Sequence, residues 1–126
     1  MILIENSEII ENHFGYFPSF HDSEVISVRL DREEPSIAIE IYVFESSEEI
    51  DNEGHYKYVK ECIVDFIFNE VKEMKISDFN HQNVLYGIKF KQEADQIMTK
   101  FDSSFGMNGY IQSSKVSVKG LKPLKE

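Results

Sequence analysis

Between Ile26 and Val118 apolar and polar residues alternate repeatedly, which is the period-two signature of half-buried strands. Ile26, Val28 and Leu30 alternate with Ser27, Arg29 and Asp31, and Glu33-Glu34-Pro35-Ser36 reads as a turn. Ile37, Ile39, Ile41 and Val43 then alternate with Ala38, Glu40, Tyr42 and Phe44. So short a connection predicts antiparallel pairing of these two strands. The stretch from Glu45 to Gly54 is acidic and poor in apolar residues, and reads as an exposed loop. A third strand is expected over about Tyr58 to Phe68, with Cys62, Val64, Phe66 and Phe68 on one face. Asn69-Glu70 reads as a tight turn into Val71–Phe79, whose broken alternation predicts a bulge or a turn of helix. Val84, Tyr86, Ile88 and Phe90 mark the apolar face of another strand, and Glu93 to Asp95 a turn. Ile97, Thr99 and Phe101 mark the next strand. Gly106 and Asn108-Gly109 supply positive-φ positions for a further turn before a last strand over Tyr110–Val118.

Ahead of the strands, Asn6 or Ser7 can cap a short helix running from about residue 7 to His13 or Phe14. Gly15 is placed to end it in a left-handed conformation, and Pro18 prevents a restart. Ile9, Ile10 and Phe14 give it one apolar side, and so short a helix needs a surface to dock on. Six to eight consecutive antiparallel strands with one short N-terminal helix predict a mainly-β fold, with α+β as the variant. The expected architecture is a sheet curled on itself or packed as a sandwich. Long helical crossovers are missing, which disfavours a doubly wound α/β fold.

The length of 126 residues fits a single domain spanning 1–126, with enough chain to bury a core. A lone cysteine, Cys62, excludes an intramolecular disulfide and a multi-cysteine zinc site. Its place among strand hydrophobics predicts an inert core thiol. Met1-Ile2-Leu3-Ile4 is followed at once by Glu5, arguing against a signal peptide and a membrane span and for the cytoplasm. Charge is unevenly spread. Residues 1–63 carry fifteen acidic and four basic side chains, residues 64–126 eight and nine, so a net −11 faces a net +1. The tail is locally basic through Lys115, Lys119, Lys122 and Lys125. Such a chain is repelled by nucleic-acid phosphates, and its acidic half attracts a basic partner.

His21-Asp22 invites reading as an acid–base pair, but neighbours in a strand point to opposite sides, so a structural role is expected. On that reading Asp22 accepts backbone N–H bonds in a turn and His21 is a partly buried, satisfied imidazole. The four histidines lack a metal-site spacing, and Asp51-Asn52-Glu53-Gly54 lacks the alternating oxygen ligands of a calcium loop. No phosphate-cradling glycine loop or nucleophile elbow is present, so neither a metal, a cofactor nor a catalytic residue is expected. Phe14, Tyr16, Phe17 and Phe20 crowd around Pro18 and suit the lid of a curled sheet better than a stacking platform, given acidic neighbours Glu11, Asp22 and Glu24. The acidic residues Glu45, Glu48, Glu49, Asp51 and Glu53, with Tyr56 beside them, are the candidate partner-binding surface.

Three segments resemble the bacterial family catalogued as immunity protein fifty. The first runs from Phe14-Gly15 through Pro18-Ser19-Phe20-His21-Asp22-Ser23-Glu24-Val25. The second is Phe68 and Val71 followed by Phe79-Asn80-His81-Gln82-Asn83-Val84, and the third Gly106 and Gly109 with Ile111. Phe17 stands where the family pattern leads one to expect tryptophan. The resemblance implies a cytoplasmic antidote that binds and neutralises a cognate protein toxin, with no enzymatic role and no cofactor. It names neither the toxin nor the interface, and the acidic half suits a basic target such as a nuclease. On the residues alone, a small interaction module pairing through a strand edge and a β domain holding a small ligand remain open.

Overall fold

The structure is a computed structural model that describes residues 4–124. The Met1–Leu3 start, on which part of the signal-peptide reading rests, and Lys125 of the basic tail lie outside those residues. One helix, α1 (Glu8–Phe14), precedes β1 (Glu24–Asp31), β2 (Ser36–Ile50), β3 (Tyr56–Ser77), β4 (Val84–Glu93), β5 (Gln96–Phe105) and β6 (Asn108–Pro123). Every strand pairing is antiparallel, and the order β1-β2-β3-β6-β5-β4 curls the sheet into a ring.

The helix ends as expected at Gly15, whose left-handed φ of 89° lets its amide reach the Glu11 carbonyl. Ser7 occupies the N-cap but makes no side-chain cap bond. What holds the helix is burial: Ile10 and Phe14 lose essentially all contact with solvent. Burying each side chain supplies about 1.5–3 kcal/mol, enough to offset the poor nucleation of so short a helix. Glu5 lies parallel beside Ser117 of β6, donating to the Val116 carbonyl and accepting from the Val118 amide. The interior of the ring is filled with side chains, led by Phe20, Phe66, Phe68 and Phe101.

Several sequence expectations need correcting. Asn69-Glu70 is not a turn: β3 runs unbroken through it, because β6 pairs with both sides, Asn69 opposite Lys115 and Val71 opposite Ser113. Glu70 takes a φ of 52°, so the local signal marks an irregularity rather than a reversal. Glu45–Gly54 is not all loop. Glu45 to Ile50 continues β2 and pairs with β3, leaving only Asp51–His55 as the turn. Register shifts also move the apolar faces. In β1 the shift between Val25 and Ser27 buries Val25 and exposes Ile26. In β4, shifts around Leu85 bury Leu85 and Ile88 and leave Tyr86 outside. A one-residue slip swaps the face of every later side chain.

Candidate functional site

Parts of all three segments that carry the family resemblance, Ser19–Val25, Asn80–Val84 and Gly106, meet at the seam where the ring closes. Strands β1 and β4 are paired as strands only at Glu24 and Val84. The segment leading into β1 completes the closure along β4: the Ile88 amide donates to Ser19 O (3.1 Å), Asp22 N to Leu85 O (2.9 Å) and Leu85 N to Ser23 O (2.8 Å). Phe20 and Asp22 reach this path with left-handed φ values of 68° and 67°. Phe20 thereby turns inward onto Phe66, with ring centroids 5.7 Å apart, while Phe17 packs edge-on to Phe20 and Phe90. Phe14 and Phe20 are fully buried and Tyr16 is half exposed, so the aromatic cluster caps the core with one ring left over.

His21 and Asp22 differ from expectation in detail. Both side chains are exposed, with His21 Nε2 3.6 Å from Asp22 Oδ1. The imidazole donates from Nδ1 to the Tyr86 carbonyl at 3.0 Å and stands edge-on to the Tyr86 ring. Among the described residues the Asp22 carboxylate accepts no backbone amide; its backbone does the structural work. The capping role falls to Asn83, which is buried. Asn83 Oδ1 accepts the amides of Asn80 (2.9 Å) and Met107 (3.0 Å), and Nδ2 donates to the Asn80 carbonyl (2.6 Å). The asparagine was visible in the sequence, but no local pattern marked it as buried.

Beyond Tyr42, next to the seam, the β2–β3 hairpin outruns its neighbours. Among the described residues β1 stops pairing with β2 at Glu24 opposite Tyr42, and β6 pairs with β3 as far as Pro123 opposite Cys62, with the Leu124 amide donating to the Glu61 carbonyl. From Phe44 to Lys60 the chain is therefore a two-stranded arm, with Ser46 opposite Tyr58 and Ile50 opposite Tyr56. A register shift between Val43 and Glu45, with Lys60 at a φ of 57°, marks a bulge at its base. The base is tied down: Tyr16 donates to Glu45 (2.8 Å), Lys60 Nζ lies 3.6 Å from Glu45, and His13 Nε2 donates to the Lys60 carbonyl (2.8 Å). The Glu45 bond, followed by burial, raises the Tyr16 pKa above its ordinary value.

The candidate partner residues therefore separate by role. Glu45 is engaged at the base. Asp51 Oδ1 accepts the amides of Glu53 and His55, both at 2.9 Å, and so shapes the turn. Glu48, Glu49 and Glu53 stand exposed along the arm and its tip. Tyr56 (62% exposed), Tyr58 (53%) and Ile50 (59%) supply apolar surface among them. Phe44 and Tyr58 stack with centroids 4.1 Å apart, stiffening the ribbon in a way the sequence did not announce. One ligand atom each from Asp51, Glu53 and His55 falls within 4.8 Å of the others, although one Asp51 oxygen already serves the turn. Cys62 lies fully buried below the arm, and burial pushes its thiol pKa up to about 12. Such a thiol is a core group and a poor nucleophile.

The described chain is a seamed antiparallel ring with a filled interior and an acidic hairpin extension. The chain belongs to the immunity protein 50 family, whose model matches residues 6–124. No curated protein and no solved structure matches the chain. No helix among the described residues is long and apolar enough to cross a membrane.

Proposed function

We propose that this chain is a cytoplasmic immunity protein that neutralises a cognate protein toxin by binding it, with the acidic arm as the docking element. Family membership supports the class of activity. The observation that carries the arm is its geometry: a ribbon with no strand neighbour on either side among the described residues, bearing exposed Glu48, Glu49 and Glu53 beside exposed Tyr56 and Tyr58. Exposed acids steer a basic partner and contribute little to the fold, whereas desolvated tyrosines supply anchorage. A basic active-site rim, such as that of a nuclease toxin, is the surface such a ribbon fits. The filled interior favours this reading over a ligand held inside the ring.

The test begins with a pull-down from the native bacterium to obtain the toxin, followed by association kinetics at low and high salt. The triple variant Glu48→Gln/Glu49→Gln/Glu53→Gln should associate more slowly than the parent at low salt and show a flatter salt dependence, with an unchanged melting temperature. Tyr56→Ala should act chiefly on dissociation. Identical association rates for the triple variant and the parent would remove the arm from the interface.

A further inference from the structure

Strand β1 has an open edge. It pairs with β2 from Glu24 to Asp31 and with β4 only at Glu24. Past the Val25 amide, which donates to the Asn83 carbonyl at 2.9 Å, no backbone hydrogen bond from a described residue reaches the outer side of Ile26–Asp31. Unpaired strand edges are templates for another strand unless they are covered or blunted. Here the edge carries surplus apolar surface. Leu30 lies opposite Ile37, yet Ile37 is 3% exposed and Leu30 63%.

The charges on this edge are self-complementary. Arg29 and Asp31 flank Leu30 and share the face opposite to it, since alternate residues of a strand share a face. Neither forms an ion pair among the described residues. One Asp31 oxygen accepts the Glu33 amide at 2.9 Å, leaving the other available.

We propose that the end of β1 is a dimerisation edge: a second copy of this chain adds Arg29–Asp31 of its own β1 antiparallel across a twofold axis through Leu30, with the Arg32–Glu34 turn of each copy running beside Ile26–Val28 of the other. In that register Leu30 meets Leu30 of the other copy, and each Arg29 lies opposite Asp31 of the other copy, giving two symmetric ion pairs. Sliding by two residues in one direction sets Arg29 against its own copy, and in the other direction Asp31 against its own. Like charges directly opposite are destabilising, so the sequence selects one register. The same patch on both partners closes the assembly as an isologous dimer, not a fibre. Leu30 sits by the Ile37 end of β2 and the acidic arm lies at the Ile50 end, so both arms stay free.

Sedimentation velocity on the full chain from low to high micromolar concentration tests this. The parent should show a concentration-dependent dimer that weakens with salt. Arg29→Asp should weaken it by about tenfold or more, and the charge swap Arg29→Asp/Asp31→Arg should restore it. Leu30→Lys, at an exposed position, should give a folded monomer, with far-UV circular dichroism and the urea midpoint checking the fold of each variant. A parent that stays monomeric into the high micromolar range overturns the proposal. So does a dimer indifferent to Arg29→Asp and Leu30→Lys, or a folded charge swap that remains monomeric.

Discussion

Asn83 Oδ1 accepts the backbone amide of Met107 at 3.0 Å, joining the start of β4 to the turn between β5 and β6 across twenty-four positions of sequence. The same oxygen takes the Asn80 amide, and Val25 donates to the Asn83 carbonyl, so one buried residue holds three separate segments together. Gly106 makes room for it. A Cβ on Gly106 would stand 2.4 Å from the Gln82 carbonyl oxygen and 2.8 Å from Asn83 Oδ1, at a φ of 82°.

Asn83→Ala should therefore cost about 2–3 kcal/mol, because it strands the buried Met107 amide and the part-buried Asn80 amide. Gly106→Ala should cost a similar amount through backbone collision and the left-handed φ. Urea unfolding of the two single variants and the double variant measures both costs and their coupling. Full additivity would show that the two residues act independently.

Asp65 makes the protein sensitive to pH. Its Oδ1 is buried with no hydrogen-bond partner among the described residues. Burial raises its pKa above the ordinary 3.8; Lys119 pulls it back, Glu40 raises it further and Arg29 opposes. The folded protein thus holds this proton more tightly than the unfolded chain does. Its contribution to stability is greatest below the ordinary value and is lost as pH rises through the raised one. Asp65→Asn should raise the urea midpoint at pH 7, and that gain should vanish in acid. An equal shift at both pH values would place the effect elsewhere.

Thr99 is fully buried, and its hydroxyl has no partner among the described residues. Replacing it with a side chain of the same shape removes an unpaid desolvation cost. Thr99→Val should stabilise the fold by about 1 kcal/mol, read as a higher urea midpoint at unchanged slope. A lower midpoint would mean that the hydroxyl is satisfied in solution.

Asp22 holds a left-handed φ of 67° without a cap made by its carboxylate. Asp22→Gly should accordingly be neutral or slightly stabilising, whereas Asp22→Ala should cost about 0.5–1 kcal/mol through backbone strain. If the glycine variant is less stable than the parent, the carboxylate itself matters. Calorimetry on both variants distinguishes the two causes.

Period-two alternation by itself determined the antiparallel fold and the strands at Ile37–Val43 and Ile97–Phe101, because burial of one sheet face is written directly in residue type, and the Gly15 stop after a one-sided apolar run marked the short helix. The acidic segment was equally legible as a solvated surface, although strand pairing with Tyr56–Val59 turned most of the expected loop into a ribbon. Only the tertiary structure decided which residues face inward in β1 and β4, since a bulge shifts the face without changing composition. It alone carried β3 straight through Asn69-Glu70, where long-range pairing with β6 overrode a local turn signal. The role of Asn83 was likewise beyond the sequence. Its partners Val25, Asn80 and Met107 come together only when the ring closes, and a buried amide reads in sequence like any exposed one.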